Sequence, residues 1–135
     1  MKNYIVVTLL GGLLFFAGCG TNVKVSGKVS FEDGSPLTSG MLIFESGAIQ
    51  SKAPIEKDGS YQVGTLKSND GLPRGTYRVY ISGADVYPDI DVMGHPLGKV
   101  VHLVDPKFTS PDTSELTCEV NGSRTFDITV TPPAK

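Results

Sequence analysis

Between Gly83 and Gly98 the chain gathers Asp85, Asp89, Asp91 and His95 around Tyr87, with no Lys or Arg among them. Carboxylates at this density suit a hard cation, and an imidazole from His95 or from nearby His102 would suit a transition metal. Ligand spacing argues against both. Each segment offers a single His, and no Cys or second His stands at a metal-binding interval. The pattern therefore reads as a solvated acidic loop, with no cofactor or metal expected. Its chemistry is then recognition, because loops held on a rigid frame often carry binding. Asp85, Tyr87, Asp89, Asp91 and His95 are the candidate partner-binding residues.

Other reactive groups point away from catalysis. Asp33-Gly34, Asp58-Gly59 and Asp70-Gly71 lack the alternating oxygen ligands and distal Glu of a calcium loop. All three lie between strand-like runs, where Asp and Gly shape the turn itself. Cys118, in "LTCEV", shares an alternating face with Leu116 and Val120, as a small buried hydrophobe would. The chain has no Gly-x-Ser-x-Gly elbow, no His-Glu-x-x-His and no phosphate-cradling glycine loop. A glycosidase-like carboxylate pair needs a deep cleft, for which a domain this small has little room. No catalytic residue is assigned, and the protein is not expected to be an enzyme.

The remaining cysteine stands beside a different kind of segment. Lys2 gives a basic start, and Tyr4–Ala17 is an apolar run of 14 residues broken by Thr8 and Gly11-Gly12. A membrane-spanning helix needs about 20 such residues, so the layout is that of a secretory signal. Phe16-Ala17-Gly18-Cys19 resembles the lipobox of bacterial lipoproteins, which runs apolar, small, small, cysteine; Phe16 takes the place of the usual aliphatic residue. The resemblance implies a thioether between Cys19 and a diacylglyceryl group, cleavage between Gly18 and Cys19, and acylation of the new amine. Several acyl chains hold a protein firmly without a spanning helix. Gly20 is not the Asp that resembles an inner-membrane retention signal, so the outer membrane is favoured. The expected location is the bacterial cell envelope, facing the periplasm or the cell surface.

Without residues 1–18, 117 of the 135 residues remain, enough for one domain and too few for two. Leu, Ile, Val and Phe make up about a quarter of them, above the disordered range. Losing Lys2 leaves 11 basic side chains against 14 acidic, evenly spread, so nucleic acid is not an expected partner.

These residues must be positioned by strands. "VKVSGKVSF" (23–31) alternates, with Val23, Val25, Gly27, Val29 and Phe31 on one side, the period of a half-buried strand. "MLIFE" (41–45) follows, with Leu42 and Phe44 toward the core. Residues 51–65 read as two strands joined at Lys57-Asp58-Gly59, a hairpin signal, with Pro54 at an edge or bulge. Tyr77, Val79 and Ile81 point inward from the next strand. Residues 83–98 read as a long loop, 99–104 as a short strand and 105–114 as loop again. Asn121-Gly122 between two alternating runs is the strongest hairpin signal, and beyond it Phe126, Ile128 and Val130 face inward. No helical stripe runs through 19–135. The pattern predicts an all-β fold, a single antiparallel sandwich of about seven strands.

"VSGKVSFEDGSPLTSGMLIF", "KDGSYQVG" and "GLPRGTYRVYI" resemble the carboxypeptidase regulatory-like domain, a transthyretin-like (prealbumin-like) sandwich. "DPKFTSPDTSELTCEV" is similar to the C-terminal part of small bacterial lipoproteins that carry this domain alone. The resemblance implies a non-catalytic extracytoplasmic module. The expected organisation is a signal peptide over 1–18, a lipidated tether over 19–22 and the sandwich over 23–132. The expected partners are the membrane, through Cys19, and another envelope protein or a polysaccharide. The alternative is a small-ligand binder, for carbohydrate or a metal ion, using loops 83–98 and 105–113.

Overall fold

The computed structural model describes residues 21–135. The expected signal peptide (1–18), the lipid-attachment residue Cys19 and its neighbour Gly20 lie outside the described residues. What is described is all-β, with no α-helix.

Alternation places the first strand, β1 (Val25–Phe31), with Val25 and Val29 buried and Lys28 in water. β2 (Met41–Ser46) turns through Gly47-Ala48 into β3 (Ile49–Pro54), with Ser46 opposite Ile49. Gly47 supplies a φ of +57° there, the left-handed geometry that tight hairpins require. Pro54 ends β3, the outer strand of its sheet, where its missing N–H costs no ladder bond. β4 (Ser60–Gln62) and β5 (Gly75–Ser82) follow. β6 (Asp85–Val86) and β7 (Val101–His102) are two residues each. A 3-10 helix (Pro106–Thr109) then leads to β8 (Leu116–Val120), β9 (Arg124–Thr125) and β10 (Ile128–Val130).

One sheet runs β3-β2-β5-β8 and is antiparallel throughout. A second is built on β1, with β4 antiparallel to it and β9 and β10 parallel to it. The two sheets contribute to one core. Val25, Val29, Tyr61 and Ile128 come from the second, and Leu42, Phe44, Tyr77, Val79, Ile81 and Cys118 from the first. Phe44 meets Tyr61 across the sheets, with ring centroids 6.1 Å apart. Each buried aromatic of this kind removes a large apolar area from water.

Three expectations are corrected. The strands number ten short ones among the described residues, not about seven, and the pairings of β1 with β9 and β10 are parallel. Asn121-Gly122 makes no hairpin, because β8 pairs with β5 and the chain beyond the turn pairs with β1. A type I′ turn needs positive φ at both central residues, and neither Asn121 nor Gly122 has one. The Lys57-Asp58-Gly59 turn does form, with Gly59 N–H donating to the Glu56 carbonyl at 2.8 Å. The runs on either side of it diverge, however. β3 stays with β2 and β4 with β1, and they meet again at Lys52 and Gly64 through two 2.9 Å backbone bonds.

Candidate functional site

β5 carries the chain to the end of the fold remote from Val23. Val23 pairs with Leu72, three residues before β5 begins. Eight residues of strand at about 3.3 Å each separate that end from Ser82 by roughly 25 Å. There Ala84 is buried, and its carbonyl accepts the Leu103 N–H at 2.9 Å. Asp85 faces His102 and Val86 faces Val101, forming a narrow two-stranded arm. The expected long loop is thus largely loop, closed at its base by this two-residue strand pair and held by backbone and carboxylate bonds.

Two acids organise it. At the base, Asp85 Oδ1 lies 2.7 Å from His102 Nδ1. Near the tip, Asp91 Oδ1 accepts the backbone N–H groups of Met93 (2.8 Å) and His95 (2.9 Å), and its Oδ2 lies 3.3 Å from His95 Nδ1. The His95 backbone N–H, foremost, holds the Asp91 carboxyl below its usual range, and the Met93 N–H and His95 ring add to this. Hydrogen bonds to the charged form favour that form. Ile90 bridges Pro96, and Leu97 N–H donates to the Asp89 carbonyl at 2.7 Å.

The five residues expected to bind a partner therefore share one arm, but they do not converge on a point. Asp91 and His95 are together, Asp85 pairs with His102, and Tyr87 and Asp89 stand exposed. Among the described residues no three His, Cys, Asp or Glu side chains group as metal ligands would.

Sequence reasoning missed the arm's apolar character. Eight of the ten strongly exposed large hydrophobics among the described residues fall between Val86 and Val101. Val92 is fully exposed, Met93 is 77% exposed, and Tyr87, Ile90 and Leu97 are about as open. Apolar residues scattered singly on a surface are ordinary, and it is their concentration in one stretch of chain that sets the arm apart. The signal was present in "VYPDIDVMGHPLG", an apolar-rich stretch without a core-forming period.

The described residues also form concavities on the surface. A cavity of about 350 Å³ lies where Ser82–Asp85 meets His102, Val104, Pro106 and Thr109. Loops 83–98 and 105–113 thus touch at their bases. Asp105 caps the 3-10 helix there, accepting the Lys107 N–H at 2.9 Å, and Phe108 anchors it in the core. A larger groove of about 810 Å³ lies over the outer side of β1 and β4, where the divergence from β3 opens the surface. Ser26, Lys28, Gln62 and Thr125 line its floor, and Lys52, Pro54 and Glu56 stand along β3 and the turn after it.

Residues Thr65–Asn69 form another part of its rim, and Asp70 holds them. The Asp70 carboxylate accepts the backbone N–H groups of Thr65 (2.6 Å), Leu66 (3.1 Å) and Lys67 (3.1 Å). These bonds, Thr65 first, lower the Asp70 pKa. Thr65 Oγ1 donates to the Gly71 carbonyl at 2.7 Å and lies 2.7 Å from the buried Ser51 Oγ. No spacing in the sequence announces this groove, since its residues come from five separate segments. The chain matches no protein-family model, no curated protein and no solved structure among those it was compared with.

Proposed function

We propose that this chain is a lipid-anchored envelope protein whose single β-sandwich, of transthyretin-like type, serves as a non-catalytic module for binding another envelope protein. Cys19 carries the lipid, after cleavage between Gly18 and Cys19. The observation that supports the binding role is the arm between Val86 and Val101, with its exposed Tyr87, Ile90, Val92, Met93 and Leu97. An isolated apolar projection of this kind is costly in water unless a partner covers it.

The partner's chemistry follows from position and charge. Cys19 precedes Val23 by four residues, a reach of at most about 14 Å. The bilayer is then at the Val23 end, and the arm lies at the other end of β5. An arm so directed meets a protein above the membrane, not the leaflet that holds the anchor. Asp85, Asp89 and Asp91 accompany the apolar tip, against Lys99 alone among Lys and Arg between Gly83 and Val104. The complementary surface is apolar with a basic rim.

A photo-crosslinking residue at Val92 in living cells tests the reading. The expected result is a discrete protein adduct that disappears when Met93 and Leu97 become Ser. A crosslinker at Val92 that yields only monomer overturns the binding role. Cys19→Ser should move the protein from the membrane to the soluble fraction, and unchanged fractionation would remove the anchor. The alternative, a small-ligand binder for carbohydrate or a metal ion, draws support from the 350 Å³ cavity joining the bases of loops 83–98 and 105–113.

A further inference from the structure

We infer that the 810 Å³ groove over β1 and β4 is a second binding site, independent of the arm, and that its ligand is an acidic glycan chain. Three observations carry this. First, the groove gathers Lys28, Lys52 and Lys67 in a chain whose formal net charge is −2. Among the described residues none of these three ammonium groups lies within ion-pairing distance of a carboxylate. Lys24 stands at the same end as Lys67, its Nζ donating to the Asn69 carbonyl. The groove's two carboxylates are Glu56 and Asp127, and Asp127 is already engaged by the Lys28 backbone N–H at 2.9 Å.

Second, hydroxyl and amide side chains fill the space between the charges. Ser26, Gln62, Ser68 and Thr125 line it alongside the lysines. Such groups exchange hydrogen bonds with sugar hydroxyls as readily as with water, while ammonium groups select for carboxylate or phosphate. Leu66 on the rim is 89% exposed. It offers an apolar contact for the face of a pyranose ring, which buries C–H surface on binding.

Third, the surface is built, not fluid. Asp70 pins the backbone of Thr65–Lys67 by three hydrogen bonds. The floor is strand, and the Lys52–Gly64 pair clamps one margin. A preformed site of this kind loses less ordering entropy on binding. Because the groove is open to solvent along the lysines, it fits a stretch of polymer better than an enclosed small molecule.

Titration of the full chain in detergent tests the inference, with polygalacturonate as the carboxylated probe, a phosphomannan as the phosphorylated one and dextran as the neutral one. The expected result is salt-sensitive binding of one or both acidic glycans and none of dextran. Which acidic probe binds identifies the recognised group. Lys28→Gln, Lys52→Gln and Lys67→Gln combined should weaken binding about tenfold or more, as loss of several charge-assisted hydrogen bonds requires. Lys99→Gln with Lys107→Gln removes charge elsewhere and should leave binding unchanged. All five lysines are exposed, and a thermal unfolding curve confirms that each variant is folded. The inference fails if neither acidic glycan binds, if dextran binds equally, or if the triple variant binds like the parent.

Discussion

Gly27 shows how much a single side chain, or its lack, decides here. It sits mid-strand on the inward side of β1, between Val25 and Val29. A Cβ at this position would lie 2.2 Å from the Phe126 carbonyl oxygen. That carbonyl also accepts the buried Tyr61 hydroxyl, so it is fixed from two directions. Burial raises the Tyr61 pKa strongly, and the phenol remains a hydrogen-bond donor at every working pH. Gly27→Ala must therefore push β1 away from residue 126. Overpacking of this kind costs about 1–3 kcal/mol, and urea unfolding should read a loss of that size.

Carboxylates at turns set the acid limit. Asp33 and Asp58 accept the hydroxyl and backbone N–H of Ser35 and Ser60 respectively. With Asp70 and Asp91, all four have lowered pKa values in the folded state. A depressed folded pKa means the unfolded chain binds protons first. The stability it contributes is complete above the ordinary carboxylate value of about 4 and is lost as pH falls through the folded values. Thermal midpoints should hold from pH 7 to pH 5 and fall below pH 4. Asp70→Asn should lower the midpoint at pH 7 and shrink its drop between pH 7 and pH 3. The turn roles of Asp33, Asp58 and Asp70 were legible in the sequence, since Asp-Gly between strand-like runs has a local cause; that of Asp91, read there as a partner-binding residue, was not.

At the level of elements, legibility followed periodicity. Strands with one buried face announced themselves. Tyr77, Val79 and Ile81 of β5 are buried, as are Leu42 and Phe44 of β2. Cys118 and Val120 are buried as expected, with Leu116 packed against the core. Pairing was less legible, because alternation reports which face is buried and not which neighbour supplies the hydrogen bonds. Asn121-Gly122 misled for that reason, and the Gly47-Ala48 hairpin went unread because it lacks a strong turn signature. The pairing at the base of the arm left no period to read because both of its faces meet water, and only its apolar content was visible in the sequence.

Its exposure makes a sharp expectation. The arm buries little, so replacing residues 88–98 with a short Gly-Ser turn should change stability by no more than about 0.5 kcal/mol. The base, with Ala84, Val104 and the Asp85–His102 pair, stays intact in that variant. A large loss of stability would mean that the tip packs on the fold, and the recognition role would go with it.

For the whole molecule, one core must answer for both sheets, and Cys118 reports on it. Its side chain is fully buried, and burial raises its pKa, so the thiolate is scarce and unreachable in the native state. In Cys19→Ser protein, a thiol reagent should label Cys118 no faster than the chain unfolds globally. Labelling that outpaces unfolding would show that β8 opens on its own. No buried side-chain polar atom among the described residues lacks a hydrogen-bond partner. Ser51 and Ser114 illustrate this, the latter donating to the Val79 carbonyl at 2.5 Å.

β1 takes its parallel neighbours from the last dozen residues of the chain, with Val29 opposite Ile128 and Phe31 opposite Val130. Among the described residues the first strand to be synthesised is thus completed by the last. Until residue 130 is free, β1 has a bare margin and Val29 has no cover from Ile128. Contacts this distant along the chain also slow the search for the native state. A polypeptide that has not yet released residues 128–130 therefore lacks the strand that covers this margin of β1 and leaves it open to other pairings.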